Sequence, residues 1–466
     1  MKPFVVRPIQ RLKGEISLLG DKSISHRAII LSALSSARTI INNFPLNKDC
    51  LSTVEAFKKL GIKITQRRQG YISVVTVSGK GLNGLKNSKR AIFVGDSGTT
   101  LRLILGVLAG QKFQTKLTAG KSLSQRPMLR VTKPLRLMGA QIKAKVKRQN
   151  LPAERLPAGR AGQEAKVEEY PPIVIKGSVL KPINYKMPVA SAQVKSAILL
   201  AGLFAKGKTR IVEPVPTRDH TERMLKLFKA DIKVTGNTIV IKGDKKLVSP
   251  RAITIPGDIS SAAFLMVLSA IIPNSRLLIK NVSLNPTRIG IIKVLKRMGA
   301  KINIKYPACP AGRQISNIKI GEPLGDLLVK SSVLKGVIVR KKEISSLIDE
   351  LPILMVAACY AKGKTVFEGV EELRVKETDR IRSVSENLKR MSGKIRVFKK
   401  GGREKIIIHG VAQLKGARLK SFGDHRTAIS MVVAGLGAVG KSSIDDITCI
   451  NKSFPNFLGQ LNSLIP

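Results

Sequence analysis

The sequence predicts an α/β protein in two halves, each built from three repeated helix–strand units, and two recurrent patterns carry that prediction. The first is a polar turn containing Ser, Asp or Gly that runs into an apolar helix. It occurs at Asp21, at 95–100 (Gly-Asp-Ser-Gly-Thr-Thr) and at 190–193 (Ala-Ser-Ala-Gln), then at 257–261 (Gly-Asp-Ile-Ser-Ser), 348–352 (Ile-Asp-Glu-Leu-Pro) and 423–426 (Gly-Asp-His-Arg). The second is a helix end of the general form Leu-x-x-(Met/Leu)-Gly-Ala-x-Ile that leads into a strand. It recurs at 57–64, 135–142, 225–232, 295–302 and 388–395, and a last helix over 454–465 closes the chain. Gly at such an end takes up the left-handed conformation that caps a helix, and the Ile that follows opens a strand. Repeats at spacings of about 65 to 95 residues are hard to attribute to chance.

In chain order, the first unit opens at 20–27 (Gly-Asp-Lys-Ser-Ile-Ser-His-Arg), with Ser23 as the expected N-cap. A helix start offers unpaired N–H groups and the positive end of the dipole, which suit an anion, and Lys22 and Arg27 strengthen the attraction. The alternative is an ordinary capped helix whose Lys and Arg face water. The second unit places Gly98 and Arg102 where a missing side chain lets backbone approach a ligand. Arg126 follows, fixed in extended backbone by Pro127, a geometry that suits a clamp on a planar carboxylate or phosphate. The third unit opens at Ser191, and the β-branched run 209–212 reads as its strand. The Pro-bounded segment 250–256 separates the third unit from the fourth, which divides the chain into 21–256 and 257–466. A strand over 4–19 has no place in the first unit, so residues 1–20 are assigned to the second half. The fifth unit carries Asp349-Glu350 and then the charged run 373–380 (Leu-Arg-Val-Lys-Glu-Thr-Asp-Arg), readable as an exposed salt-bridged helix start or as a functional cluster. The sixth opens on Asp424-His425-Arg426. Segments 149–169 and 306–314 share a Pro-Ala-Gly-Arg pattern and read as exposed loops without function. If the helix starts face one another, their positive ends converge on the space between the halves as an anion trap that closes like a hinge; otherwise the repeats merely build two pseudo-symmetric barrels.

Composition narrows the classes. At 466 residues and 43% apolar content the chain is globular. No signal-like leader and no stretch long enough to span a bilayer is visible, so a soluble, cytoplasmic protein with no membrane partner is expected. Cys50, Cys309, Cys359 and Cys449 are scattered without metal-site spacing and read as reduced thiols. A net charge of +53 would draw any polyanion, but the Lys and Arg residues are spread along the whole chain, aromatic residues are 4% and Trp is absent. That is not the pattern of a nucleic-acid module, and much of the excess reads as solvated surface.

Taken together, these motifs resemble the 5-enolpyruvylshikimate-3-phosphate (EPSP) synthase family, the 3-phosphoshikimate 1-carboxyvinyltransferases, over nearly the full length. The matching stretches are 20–23 through Arg27, Gly98-Thr99, Arg126-Pro127-Met128, Ser191-Ala192-Gln193, Asp349-Glu350, 374–380, Asp424-His425-Arg426 and 452–455 (Lys-Ser-Phe-Pro). The resemblance implies a two-domain inside-out α/β barrel of pseudo-threefold repeats that closes around shikimate 3-phosphate and phosphoenolpyruvate. It also implies transfer of the enolpyruvyl group to the 5-hydroxyl by addition and elimination, in aromatic amino acid biosynthesis. By the same resemblance, Lys22, Ser23, Arg27, Ser191, Ala192, Gln193, Arg218, Asp349 and Lys376 hold shikimate 3-phosphate, on the 21–256 side. Lys22, Gly98, Arg126, Gln193, Arg380, Arg426 and Lys452 hold phosphoenolpyruvate, and the half comprising 1–20 and 257–466 supplies the catalytic carboxylates. Asp349 is then the base that takes the hydroxyl proton, Glu377 the acid that protonates C3 and later deprotonates it, and Lys22, with a lowered pKa, an aid to proton transfer at the leaving phosphate. No metal, cofactor or nucleic acid is implied, and a monomer is expected.

Two positions depart from the family pattern: Lys121 stands where many relatives carry an acid, and Ala192 where some carry a second Ser, which removes one hydroxyl from the phosphate. Gly98, with no methyl to crowd the enolpyruvate site, implies sensitivity to the competitor glyphosate. The nearest rival is UDP-N-acetylglucosamine enolpyruvyl transferase, which shares the six-unit plan but typically has Asn after its early Lys and a reactive loop Cys; here Ser23 follows Lys22, and no Cys lies near Arg126. A basic RNA-binding protein on a related repeat fold is the rival from another class, motivated by the charge alone.

Overall fold

Apolar helices form where the polar turns place them in the computed structural model, which describes residues 3–69, 72–149, 166–306 and 321–466. They are Lys22–Leu34, Gly98–Leu108, Ala192–Gly202, Ile259–Ile271, Leu351–Tyr360 and His425–Leu436. Five start on a side-chain cap: Asp21, Ser97, Ser191, Asp258 and Asp424 each accept a backbone N–H from two or three residues ahead. The fifth in order, Leu351–Tyr360, starts at Glu350 without such a cap and has Pro352 in its first turn, where a missing N–H costs nothing. The expected cap Ser23 is thus corrected to Asp21, whose carboxylate accepts from Ile24 N at 3.0 Å; Ser23 already lies inside the helix. These helices are apolar on nearly every face because they are buried on nearly every face.

Around the helices lie separate open sheets, and no sheet closes on itself among the described residues. Five are four-stranded with one recurring plan: a short strand pairs parallel with the first long strand, which pairs antiparallel with the third, which pairs antiparallel with the second. In the first sheet these are Ala252–Thr254, Arg38–Pro45, Ile72–Ser78 and Lys63–Gln69. The sixth sheet has three strands, Phe4–Val6, Ser442–Ile444 and Arg418–Leu419. The fold is therefore mixed α/β. The single strand expected over 4–19 is two: Phe4–Val6 joins Ser442–Ile444, and Lys13–Ser17 joins Arg276–Ser283. The last helix is Phe457–Asn462, shorter than expected because the turn Thr448–Lys452 and Pro455 occupy the approach to it. Strand Lys166–Lys176 pairs with Gln141–Gln149, so the ends of the expected 149–169 loop are sheet; 150–165 and 307–314 lie outside the described residues.

Two separate hydrophobic cores result. One gathers residues between Ile24 and Ile255, the other Val6 to Leu18 with Ile259 to Leu464. The chain crosses between them at Gly20 and Gly257, which bridge each other in antiparallel fashion. A Cβ on Gly20 would fall 2.2 Å from the Asn43 carbonyl oxygen, so the crossing tolerates no side chain there. Part of the basic excess lies on the outermost strands of the four-stranded sheets, where Lys63, Arg67, Lys143, Lys145, Lys147, Lys233, Lys301, Lys305, Lys394 and Arg396 are exposed. Charge along an open edge discourages strand-to-strand association, which gives part of the excess a structural reason. No described helix is long and apolar enough to cross a membrane. Cys50, Cys359 and Cys449 are buried and free, and Cys309 lies outside the described residues.

His26 is fully buried, its Nδ1 2.6 Å from Thr53 Oγ1, and burial lowers its pKa to about 3. The folded state therefore holds this ring neutral while the unfolded chain protonates it near its ordinary value. That stability is complete above the unfolded pKa and is lost as pH falls below it, by about 2 kcal/mol at pH 5. Thermal melting is expected to show a lower Tm at pH 5 than at pH 7.5, with a smaller drop in His26→Asn; equal drops in both proteins would contradict a buried neutral ring.

Candidate active site

The starts of the six buried helices line one cavity of about 230 Å³ between the two cores. From the first core come Lys22, Ser23 and Arg27, Gly98 and Thr99, and Ser191, Ala192 and Gln193. The second core contributes Asp258 and Ser260, Asp349, and His425 and Arg426, and the 371–380 stretch adds Lys376, Glu377 and Arg380. Arg126 and Arg218 complete the cationic wall. Nine cationic side chains face the cavity against six carboxylates, so it favours ligands carrying several negative charges.

Arg380 organises the catalytic side. As the first residue of helix Arg380–Arg390 it is 1% exposed, and its guanidinium contacts three carboxylates: Asp424 through Nε at 2.9 Å, Asp349 through Nη1 at 3.3 Å, and Glu377 through Nη2. Arg218 Nη2 lies 2.5 Å from Asp349 Oδ2, and Arg426 Nη2 lies 4.0 Å from it. Burial raises the Asp349 carboxyl, but Arg218, Arg426, Lys376 and Arg380 outweigh it and hold the group well below the carboxylate range. Glu377 behaves alike: burial pushes it up, and Arg380, Arg126 and Lys22 pull it well below its ordinary value. Both carboxylates are thus ionised at neutral pH.

Lys22 differs from expectation. Burial lowers its pKa, but Asp49, with Oδ2 at 2.7 Å, and Glu377 together outweigh that effect and raise it, so the ammonium is held charged. Arg27 spends its donors on protein partners, Thr221 Oγ1 at 2.6 Å, Ser196 Oγ at 2.8 Å and the Ser23 carbonyl at 2.8 Å, and so fixes three helix starts relative to one another. Arg102 Nη1 holds Gln193 Oε1 at 2.9 Å, whose Nε2 donates to Thr99 Oγ1 at 2.9 Å. Arg126 is extended as its Pro neighbour requires, its Nη1 3.9 Å from Glu377 Oε1 and its Nε buried without a partner. Lys376 lines the cavity with a pKa lowered by burial. Lys452 is the residue not brought in: it is absent from the cavity lining, and its Nζ donates to the Gly423 carbonyl at 3.4 Å.

The charged run is split in role. Arg374 pairs with Glu404 and Asp379, partly exposed, and pins the loop, whereas Arg380 is core. Asp49, Asp258, Arg288 and His425 also line the cavity, and no motif in the sequence assigns them a functional role. Asp258 was signalled as a helix start in the fourth turn; Asp49 carries no local signal, because only the fold sets it against Lys22.

Such a cleft, with two cores, helix starts converging on polyvalent anions, and two carboxylates held by shared arginines, defines an enzyme of group transfer between anionic small molecules. The family model of EPSP synthase (3-phosphoshikimate 1-carboxyvinyltransferase) matches residues 6–168 and 159–461. A 3-phosphoshikimate 1-carboxyvinyltransferase of Desulforamulus reducens is 43% identical over 462 residues, covering 99% of each chain. One of Thermodesulfovibrio yellowstonii is 44% identical over 461 residues, again covering 99% of each. A solved structure of EPSP synthase from Acinetobacter baumannii superposes with a TM-score of 0.82 at 40% identity, covering 100% of this chain and 98% of that one. This chain belongs to the EPSP synthase family.

Proposed function

We propose that the protein transfers the enolpyruvyl group of phosphoenolpyruvate to the 5-hydroxyl of shikimate 3-phosphate, releasing phosphate, as a step of aromatic amino acid biosynthesis. The observation that supports it most is the gathering of Lys22, Arg126, Asp349, Glu377, Arg380 and Arg426 on one cavity fed by six helix starts. Shikimate 3-phosphate takes the side formed by Ser23, Arg27, Ser191, Ala192, Gln193, Arg218 and Lys376; phosphoenolpyruvate takes that of Gly98, Arg126, Gln193, Arg380 and Arg426. Lys452 joins only if closure carries it inward. The finer architecture goes with this reading: an inside-out α/β barrel of two pseudo-threefold domains, 21–256 and 1–20 with 257–466, acting as a cytoplasmic monomer. Light scattering at the mass of one chain is the expected check on the last point.

The substrate hydroxyl attacks C2 of the enol while its proton passes to Asp349, and Glu377 delivers a proton to C3, giving a tetrahedral intermediate. Glu377 then takes a C3 proton back, the C2–O bond to phosphate breaks, and the phosphate leaves with the bonding pair. Lys22, kept cationic by Asp49, serves as a fixed charge against the leaving phosphate. Substrate carboxylate and phosphate compete for Arg126 and Arg380, and in doing so release Glu377 toward the protonated form its acid role needs.

The test is phosphate release with phosphoenolpyruvate and each of two acceptors. Turnover is expected with shikimate 3-phosphate, and turnover with UDP-N-acetylglucosamine alone would overturn the reading. A Cβ built on Gly98 lies 2.7 Å from Arg102 Nη1 and 3.0 Å from Arg126 Nη1. Gly98→Ala is therefore expected to raise KM for phosphoenolpyruvate about tenfold by displacing Arg126, with a smaller change for shikimate 3-phosphate. Glyphosate, inhibitory to the unaltered protein, should lose potency in the same variant; equal inhibition of both would separate it from the Gly98 pocket.

A further inference from the structure

Four of the helices that open on the cavity begin at a buried carboxylate; Asp424 is held by Arg380, and the other three, Asp21, Asp258 and Glu350, hold the N-cap positions of Lys22–Leu34, Ile259–Ile271 and Leu351–Tyr360. One guanidinium lies among all three. Arg288 Nη1 is 3.3 Å from Asp21 Oδ2, and its Nη2 donates to Ser260 Oγ at 2.7 Å while lying 3.7 Å from both Asp258 Oδ1 and Glu350 Oε1. Asp21 precedes the first core and the other partners belong to the second, so the cluster sits where the chain crosses at Gly20 and Gly257. Arg288 is 2% exposed, and it faces the same cavity.

Three carboxylates so placed oppose the very ligands the helix starts attract, and without a cation among them they also oppose one another. We propose that Arg288 is a positioning residue that neutralises the three helix-start carboxylates, keeping the cavity positive toward its anionic substrates and locking the helix starts of both halves together. The proposal rests on the enolpyruvyl-transfer reading above. The other charged and titratable groups around the cluster are His220, whose Nε2 is 3.4 Å from Arg288 Nη1 and whose Nδ1 meets Glu322 at 2.6 Å, and Arg426, which faces Glu350 at 3.7 Å; Asp349 and Arg218 act from further off. Arg288 Nε and Glu350 Oε2 are buried without hydrogen-bond partners, so charge holds the cluster more than saturated hydrogen bonding does. A lysine can supply that charge. Asp258 is the carboxyl already pushed upward, by burial and by Asp21, and so the one that takes up a proton first when Arg288 is lost. Asn in its place keeps a good N-cap while removing the charge.

The experiment measures phosphate release from pH 5 to 9 for the unaltered protein, Arg288→Gln, Arg288→Lys and the double variant Arg288→Gln/Asp258→Asn. Arg288→Gln is expected to lose about 100-fold or more in kcat/KM at pH 7.5, mostly through KM for both anions, since an unpaired buried carboxylate replaces a neutralised one. Its residual activity should peak at lower pH, where a proton stands in for the missing cation. Arg288→Lys should lose about tenfold and keep the original optimum, and Asp258→Asn should restore about tenfold to Arg288→Gln. An unshifted optimum in Arg288→Gln, or no restoration in the double variant, would overturn the proposal. If Arg288→Gln does not fold, a double variant that also fails to fold, or a shifted optimum in Arg288→Lys, overturns it equally. An unaltered protein that turns over neither acceptor defeats the functional reading instead. The Arg288 role is then read from thermal stabilisation by inorganic phosphate, expected to be weaker in Arg288→Gln than in Arg288→Lys; equal stabilisation would overturn it.

Discussion

Glu377→Gln is expected to lower kcat by about 10²- to 10⁴-fold while leaving KM for both substrates within a few-fold, the range for loss of a general acid–base group. The substitution preserves shape and keeps a hydrogen-bond acceptor for Arg380, so binding should survive; what it removes is the proton delivered to C3. An unchanged kcat would show that another group protonates C3. The same residue makes a second, calorimetric expectation. With Arg380, Arg126 and Lys22 around it, Glu377 is held ionised, against the burial that would raise it. Once substrate anions engage those cations, the carboxylate loses its partners in a drier site, and its pKa must climb. Binding of the two substrates is therefore expected to take up protons, visible as a binding enthalpy that changes with the ionisation enthalpy of the buffer. In Glu377→Gln that uptake should shrink.

What the sequence made legible was local. A polar turn before an apolar run places each buried helix, because capping and burial both act within a few residues, and Gly61, Gly139 and Gly299 mark helix ends by the positive φ they adopt. Arg126 is extended for an equally local reason, the Pro that follows it. The expectations that needed correcting depend on distant parts of the chain. Lys22 is charged rather than depressed because Asp49, on the next helix, closes to 2.7 Å. Arg288 carries no motif of its own; it matters because the crossing at Gly20 and Gly257 brings three helix starts around it. For Arg380 the local pattern leaves two readings open, an exposed charge run or a functional cluster, and the choice is made by distant residues, since its helix start is turned toward Asp424 and Asp349. Lys452 lies beside Gly423, not in the cavity, and no local pattern distinguishes the two places.

The second large effect is expected from Asp349→Asn, and its pattern separates two ways a carboxylate can matter. Asp349 is surrounded by Arg218, Arg380 and Arg426, so its charge competes with substrate anions for those same cations. If it acted only as a structural counter-ion, the neutral variant would free the arginines and leave kcat unchanged while tightening binding. As the base that accepts the hydroxyl proton, its loss should instead lower kcat by about 10²- to 10³-fold, with KM unchanged or lower for the reason just given. The pH dependence follows from the same surroundings. Burial raises the Asp349 carboxyl, but the nearby cations outweigh it and hold it well below its ordinary value, so it is ionised at neutral pH. Its protonation should leave no acid limb in kcat/KM above pH 5, because that quantity reports the free protein. In the bound complex, where the arginines turn to substrate, the carboxylate becomes a stronger base, and an acid limb belonging to it should enter kcat alone. A limb of equal pKa in both profiles would mean that the arginines do not release Asp349 on binding, and the hydroxyl proton would then need another acceptor.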